Sequence, residues 1–125
     1  MNGIDFLADT NALIYLLAGN PCMKPYILKK MGFSIISEME LLSFSGISLQ
    51  EQNNIKAFLS ECSELQLTKE VKEKTIEIRK HYKTKLPDAI IAATAIVNQI
   101  PLITADKVFE QIKELNLVLI TPNTD

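Results

Sequence analysis

A chain of 125 residues, 47% of them apolar, has the length and composition of a folded domain with a substantial core, not of a disordered polymer. Its formal net charge of −2 supplies no bulk attraction to nucleic acid, so a polyanionic partner must be met by local basic groups or through a metal ion. The opening Met1 to Asp5 has no basic segment running into a long apolar one, and the longest apolar run, Ala89 to Val97, is far short of the roughly 20 residues that span a bilayer; the expectation is a soluble, cytoplasmic protein with no membrane contact.

The first element is the run Ile4-Asp5-Phe6-Leu7-Ala8-Asp9-Thr10-Asn11, a short buried strand that feeds a helix from Thr10 to Leu17. Asp9 then stands at the strand's end, where open parallel sheets bind ligands, although Asp, Thr and Asn are also ordinary helix caps. Gly19-Asn20-Pro21 ends that helix, a basic helical piece follows over Met23 to Met31, and Gly32 closes it. Phe33 to Ile36 reads as a second strand, followed at Ser37 by the helix that carries Glu38 and Glu40. Ser48 and Glu51 form a capping box for a helix toward Glu61.

Leu65 to Leu67 is a third strand, with Thr68 capping a helix from Lys69 to about Lys83. Its buried side is Val71, Thr75, Ile76, Ile78 and Tyr82, and its lysines face water. Pro87 suits the first turn of the next helix, which is apolar nearly all round and rich in alanine, as a helix clamped in the middle of a domain would be. Asn98 to Pro101 ends it, Leu102 to Thr104 is a fourth strand, and a short helix runs from Ala105-Asp106 to Ile112. Leu117 to Ile120 is a last strand before the polar tail Thr121 to Asp125. Strands alternating with helices imply a right-handed parallel sheet covered on both faces, a three-layer α/β domain over residues 1–125.

Asp9, Glu40, Asp88 and Asp106 all fall near one edge of that sheet. Each alone could cap a helix or favour its dipole, but four carboxylates at one edge repel unless a cation is bound, and Mg²⁺ or Mn²⁺ is the hard, oxygen-seeking ion that suits them. Glu38 competes with Glu40, but residues two apart on a helix point to different faces, so one of them at most joins the site. Basic groups stand at Arg79, Lys80, Lys83 and Lys85, directly before Asp88, and at Lys24 with Lys29 and Lys30. Either cluster could be a solvated helix face or a set of contacts to phosphates. His81, the single histidine, sits in a charged helix end and reads as exposed or phosphate-touching. Cys22 and Cys62 have no Cys-x-x-Cys spacing and read as reduced packing residues.

Leu7-Ala8-Asp9-Thr10-Asn11, Ser34-x-x-Ser37-x-x-Glu40-Leu41-Leu42, Leu86-Pro87-Asp88-Ala89-Ile90-Ile91-Ala92-Ala93-Thr94-Ala95 and Leu102-Ile103-Thr104-Ala105-Asp106-Lys107-x-Phe109 resemble the successive motifs of PIN-domain nucleases, closest to the VapC type of toxin–antitoxin pairs. The resemblance implies an α/β/α fold with sheet order 3-2-1-4-5 and a metal-dependent endoribonuclease using Mg²⁺ or Mn²⁺. In it Asp9, Glu40, Asp88 and Asp106 form the acidic quartet, with Thr10, Asn11 and Thr104 as supporting polar groups. The Glu-Leu-Leu match selects Glu40 over Glu38. The chemistry implied is hydrolysis of an RNA phosphodiester by a metal-activated water. A small antitoxin and a homodimer are the implied partners. The competing readings are a PIN-like interaction module without activity, or another Mg-dependent phosphate-handling α/β enzyme. A receiver lacks its acceptor Asp after strand three, and a haloacid-dehalogenase-like phosphatase needs Asp-x-Asp where this chain has Asp9-Thr10-Asn11.

Overall fold

The computed structural model describes residues 3–123. Five strands, β1 (Phe6–Ala8), β2 (Met31–Ser34), β3 (Ser63–Leu65), β4 (Leu102–Thr104) and β5 (Leu117–Leu119), form one parallel sheet in the order β3-β2-β1-β4-β5. Five α-helices connect or cover them: α1 (Thr10–Leu17), α2 (Ile35–Leu42), α3 (Leu49–Ser60), α4 (Lys69–His81) and α5 (Leu86–Asn98). Two 3₁₀ turns, Pro21–Tyr26 and Lys107–Gln111, complete the elements of the described residues. The three-layer architecture and the strand order expected from the sequence are both present.

Alternation along β1 divides the core in two. Leu7, with Leu102 of the neighbouring β4, faces α4 and α5, where Val71, Ile78 and the alanines of α5 are buried. Ala8, with Ile103, faces the other way, onto Leu13 of α1, Met23, Leu41 of α2, and Ile55 and Leu59 of α3. Ala89, Ala92, Ala93 and Ala95 are all wholly buried, which lets α5 lie close against both the sheet and α4. The helix ends where Gln99 takes a left-handed φ of 57° and Ile100 N–H returns to the Ala95 carbonyl at 3.1 Å. Among the described residues no helix is long and apolar enough to cross a membrane.

Local chemistry moves several boundaries. β2 begins at Met31 and stops at Ser34, two residues before the expected end, because the Ser34 hydroxyl accepts the Ile36 N–H at 3.1 Å and starts α2 at Ile35. Gly32 is inside that strand and ends no helix. A Cβ there would lie 3.0 Å from Ile4 Cγ2 and 3.3 Å from Leu65 Cδ1, so glycine permits this close approach. The piece expected as a helix over Met23 to Met31 is instead the 3₁₀ turn Pro21–Tyr26, with Asn20 capping it and Pro25 inside it. β3 lies at Ser63–Leu65, not Leu65 to Leu67, and α4 ends at His81. Ile76 is half exposed while Val71, Thr75 and Ile78 form the buried side of α4. The capping box of Ser48 and Glu51 is present with both hydrogen bonds at 3.0 Å. Cys22 and Cys62 are free thiols. Of the polar tail, Thr124 and Asp125 lie outside the described residues.

The close seat of α5 gives a direct test. Ala92→Leu must displace packed neighbours and is expected to destabilise the fold by about 1–3 kcal/mol. In urea the midpoint falls while the slope stays constant; an unchanged midpoint would show that the helix has room to spare.

Candidate active site

The sheet order reverses direction at β1, and the crevice between β1 and β4 opens at the carboxyl ends of the strands. The two strands are in register with Leu7 opposite Leu102 and Ala8 opposite Ile103, which sets Asp9 level with Thr104. The Asp9 N–H donates to the Ile103 carbonyl at 3.1 Å, extending the ladder to the last residue before α1. On the other side of β1, β2 launches α2, which carries Ser37 and Glu40. Asp88 enters in the first turn of α5, and Asp106 follows β4 by two residues.

Asp9 is only 6% exposed, and both carboxylate oxygens are held. Oδ1 accepts the Ala12 N–H at 2.9 Å, so Asp9 does cap α1, and Oδ2 accepts the hydroxyl of fully buried Thr104. Thr104 Oγ1 in turn accepts the Asp106 N–H at 3.0 Å, while Asp106 Oδ1 accepts the Val108 N–H at 2.9 Å. One threonine thus ties the two acids across the crevice. Burial is the largest influence on Asp9 and pushes its carboxyl above the usual aspartate range. The bonds from Thr104 and Ala12 oppose that, and the charges of Asp106 and Asp88 add to it. Asp88 is raised in the same way, by burial first, then by Asp106 and Glu40, against the opposing charge of Lys85.

Glu40 is exposed yet held. Its Oε1 is 2.5 Å from Thr10 Oγ1, which is also 2.9 Å from Ser37 Oγ. Thr10 has one hydroxyl proton, and a carboxylate can only accept, so that proton goes to Glu40 and buried Ser37 becomes the donor to Thr10. Glu38 points elsewhere. It lines a cavity with Lys56, Cys62 and Glu64, and burial followed by the charge of Glu64 raises its carboxyl. The structure therefore brings Glu40, and not Glu38, to Thr10 beside Asp9.

Beside the acids lies an open cleft of about 510 Å³. Asp88, Asp106 and Val108 line it together with Arg79, Lys83, Thr84 and Lys85. Lys80 is exposed on α4 outside this cleft, and Asn11 is exposed in the first turn of α1. Lys24 is not brought to the acids. It lines a small apolar cavity with Leu16, Gly19 and Ile27 at the far end of α1 from Thr10. His81 is exposed, its Nδ1 2.9 Å from the Glu77 carbonyl oxygen. Sequence reasoning gave no role to Ser37 or Thr84. Ser37 stands three residues before Glu40, on the same helical face, and that spacing was the available signal; nothing in the sequence marks Thr84.

The sequence profile of the PIN domain matches residues 6–115. The chain belongs to the PIN-domain family. No curated protein sequence is significantly similar to it. A chain of a toxin–antitoxin complex from Klebsiella pneumoniae is 30% identical, with a TM-score of 0.78 over 91% of this chain and 96% of that one. A chain of VapBC-1 from nontypeable Haemophilus influenzae is 20% identical with a TM-score of 0.82 (93% and 98% covered). A chain of DNA-bound VapBC2 from Rickettsia felis is 21% identical with a TM-score of 0.80 (94% and 100% covered). The likeness to VapC-type PIN nucleases carried by the four motifs therefore holds, and with it the sheet order.

Among the described residues no three His, Cys, Asp or Glu side chains converge into a ready-made metal cage. The donor set nonetheless fits a hard ion. It consists of carboxylates, two of which, Asp9 and Asp88, have their pKa raised by burial and then by neighbouring acids, and Mg²⁺ keeps several waters and is held by one or two carboxylates without needing a closed protein cage. For the metal-free PIN domain the raised carboxyls fix a sign. Well below the ordinary aspartate value of 3.8, folded and unfolded chains are both protonated there. As pH rises from that value through the raised folded values, the unfolded chain ionises first and stability is lost. Asp88→Asn is therefore expected to raise the Tm of metal-free protein at pH 7, with the gain shrinking as pH falls toward 4. Thermal melts in chelator at both pH values check it, and identical Tm at pH 7 would show that ionised Asp88 carries no cost to folding.

Proposed function

We propose that residues 1–125 form one PIN domain acting as a metal-dependent endoribonuclease, the toxin of a type II toxin–antitoxin pair. The observation that carries the reading is the meeting of Asp9, Asp88 and Asp106 within each other's fields at the switch point, with Arg79, Lys83 and Lys85 lining the same cleft as Asp88 and Asp106. Asp9, Glu40, Asp88 and Asp106 would hold Mg²⁺ or Mn²⁺. Such an ion, when bound, supplies Lewis acidity toward a phosphoryl oxygen and acidifies water.

The chain's own part is positioning and charge. Thr104 and the Ala12 N–H fix Asp9 in one rotamer, and Ser37 through Thr10 fixes Glu40 although that side chain is exposed. Arg79, Lys83 and Lys85 neutralise the backbone of the bound strand, contacts that position RNA without reading its sequence. No protein nucleophile is required by this arrangement: the four carboxylates serve as ligands, and the Thr10 and Thr104 hydroxyls are already engaged in hydrogen bonds to Glu40 and Asp9. The structural neighbours from Klebsiella, Haemophilus and Rickettsia come from toxin–antitoxin or VapBC complexes, which supports a cognate antitoxin as the partner. The cytoplasm as compartment and a homodimer as assembly are further parts of the proposal.

Losing a partner that merely orients a ligand costs about 10–100-fold in metal affinity or activity, so losing a ligand costs at least that much. Asp9→Asn and Asp88→Asn are each expected to lower Mn²⁺-dependent RNA cleavage by at least about a hundredfold and to abolish the calorimetric heat of Mn²⁺ binding. Cleavage that survives both substitutions sinks the site, and wild-type protein that neither binds Mn²⁺ nor cuts RNA is an interaction module.

A further inference from the structure

The sheet has an edge at β3 and another at β5, and the two differ in charge. An unpaired edge strand invites another strand, and folded proteins commonly blunt such an edge with charged side chains. β3 is blunted in this way, because Glu64 is the middle residue of Ser63–Leu65 and Glu61 comes shortly before it. β5 is not. From Leu115 to Thr124 the sequence holds no charged residue, and Pro122 stands past the end of the strand. Leu119 is exposed there although the next residue, Ile120, is buried.

The bonds to β4 fix which backbone groups of β5 are left over. The Leu102 N–H donates to the Asn116 carbonyl at 2.8 Å, and the Ile120 N–H donates to the Thr104 carbonyl at 2.8 Å. Asn116 and Ile120 therefore face β4, and by the alternation of a strand Val118 does too. Leu117 and Leu119 turn their N–H and C=O groups outward, where no other strand lies among the described residues. The chain leaving this edge is held in place. The Asn123 N–H donates to Asn20 Oδ1 at 3.1 Å, and Asn20 Nδ2 donates to the Asn123 carbonyl at 3.1 Å, which clasps the segment after β5 to the turn after α1. A strand fixed before it meets a partner loses little conformational freedom on pairing.

We propose that the free edge of β5 pairs with the same edge of a second copy of this chain, antiparallel across a two-fold axis at Val118. Leu117 then stands opposite Leu119 of the partner subunit, and Leu119 opposite Leu117 of the partner subunit, each pair exchanging two N–H···O bonds. No like charges meet, whereas the same arrangement at β3 sets Glu64 against its own copy. A contact made by one patch on both copies closes at a dimer. So short a strand buries less area than a standard interface, and the dimer dissociates on dilution. The paired strands run in opposite directions, so the two sets of acids lie at opposite ends of the joined sheet and neither copy completes the other's site. The inference names the surface of the homodimer proposed above and rests on that assembly, not on the nuclease reading.

The test uses the full chain, with sedimentation equilibrium over a wide concentration range and amide hydrogen exchange read residue by residue by NMR. A monomer–dimer equilibrium is expected. The Leu117 and Leu119 amides gain protection as concentration rises, while the Val118 amide, turned to β4, is protected throughout. Leu119→Pro removes an outward N–H without touching the ladder to β4. It is expected to keep the circular dichroism of the wild type and to raise the dimer dissociation constant by about tenfold or more, the loss of two hydrogen bonds. Leu119→Lys keeps the N–H but sets a charge on the edge, and it weakens the dimer in the same direction even where the proline variant fails to fold. Glu64→Lys, on the opposite edge, leaves the constant unchanged. A dimer that Leu119→Lys leaves intact, or that Glu64→Lys breaks, overturns the edge pairing while the homodimer stands; a chain that stays monomeric at every concentration removes both. Protection of Leu117 and Leu119 that arises only on adding a different protein gives the edge to that partner and also overturns self-pairing. None of these readouts depends on cleavage, so the nuclease reading is tested separately.

Discussion

The structure is constrained first by a carboxylate held in its interior. Asp9 ends the central strand of the sheet, 6% exposed, and burying a charge without partners would cost far more than a small domain can spare. The surrounding sequence supplies those partners from two directions: the first turn of α1 offers the Ala12 N–H, and the end of β4 offers the Thr104 hydroxyl. Both depend on register. Shifting β4 by one residue against β1 would send the Thr104 side chain to the other face of the sheet and leave Asp9 half paired. The requirement for a paired carboxylate thus joins the site to the packing of Leu7 with Leu102 and Ala8 with Ile103, the two pairs that hold that register.

Even with its hydrogen bonds, Asp9 remains above its ordinary pKa, and Asp88 and Asp106 add to the strain on it. A fold optimised for stability alone would neutralise one of these groups. Functional sites are where such clustering persists. Asp9 also shows that a cap and a site residue need not be alternatives, since one carboxylate oxygen serves the helix while the other faces Thr104. Thr104 does comparable double work, accepting from the Asp106 backbone as it donates to Asp9. Capping and site geometry therefore share atoms here and cannot be varied independently.

The alternation of apolar runs with helical patterns was enough to read the layers, and the capping box at Ser48 and the buried, alanine-rich α5 were legible in detail. Boundaries failed where a polar atom or a close approach decides them. Ser34 ends β2 because its hydroxyl caps α2, and apolar patterning over Phe33 to Ile36 cannot show that. Gly32 reads as a helix stop, yet it is a strand residue pressed against Ile4 and Leu65, which is information held at a distance in sequence. Strand order was not in the periodicity at all; it came with the motif resemblance. At the candidate site, the edge position of the four acids followed from strand ends, the Glu-Leu-Leu match chose Glu40 over Glu38, and the structure adds that Glu40 is the one that meets Thr10. Lys24 looked equivalent to Lys83 as a basic residue, and only the three-dimensional placement of the turn Pro21–Tyr26 separates it from the acids.

Net charge is a poor guide to what this surface binds. The value of −2 for the whole chain hides a single cleft lined by two carboxylates, Asp88 and Asp106, together with Arg79, Lys83 and Lys85. At ordinary ionic strength charges beyond about 10 Å are largely screened, so an approaching ion responds to the groups lining the cleft and not to the total. Lys85 is near enough to Asp88 to oppose the rise of its pKa, so the two signs meet at the start of α5. The basic residues come from the end of α4 and the loop before α5, and the acids from the first turn of α5 and the segment after β4, so the cleft's charges of either sign can be altered without moving β1.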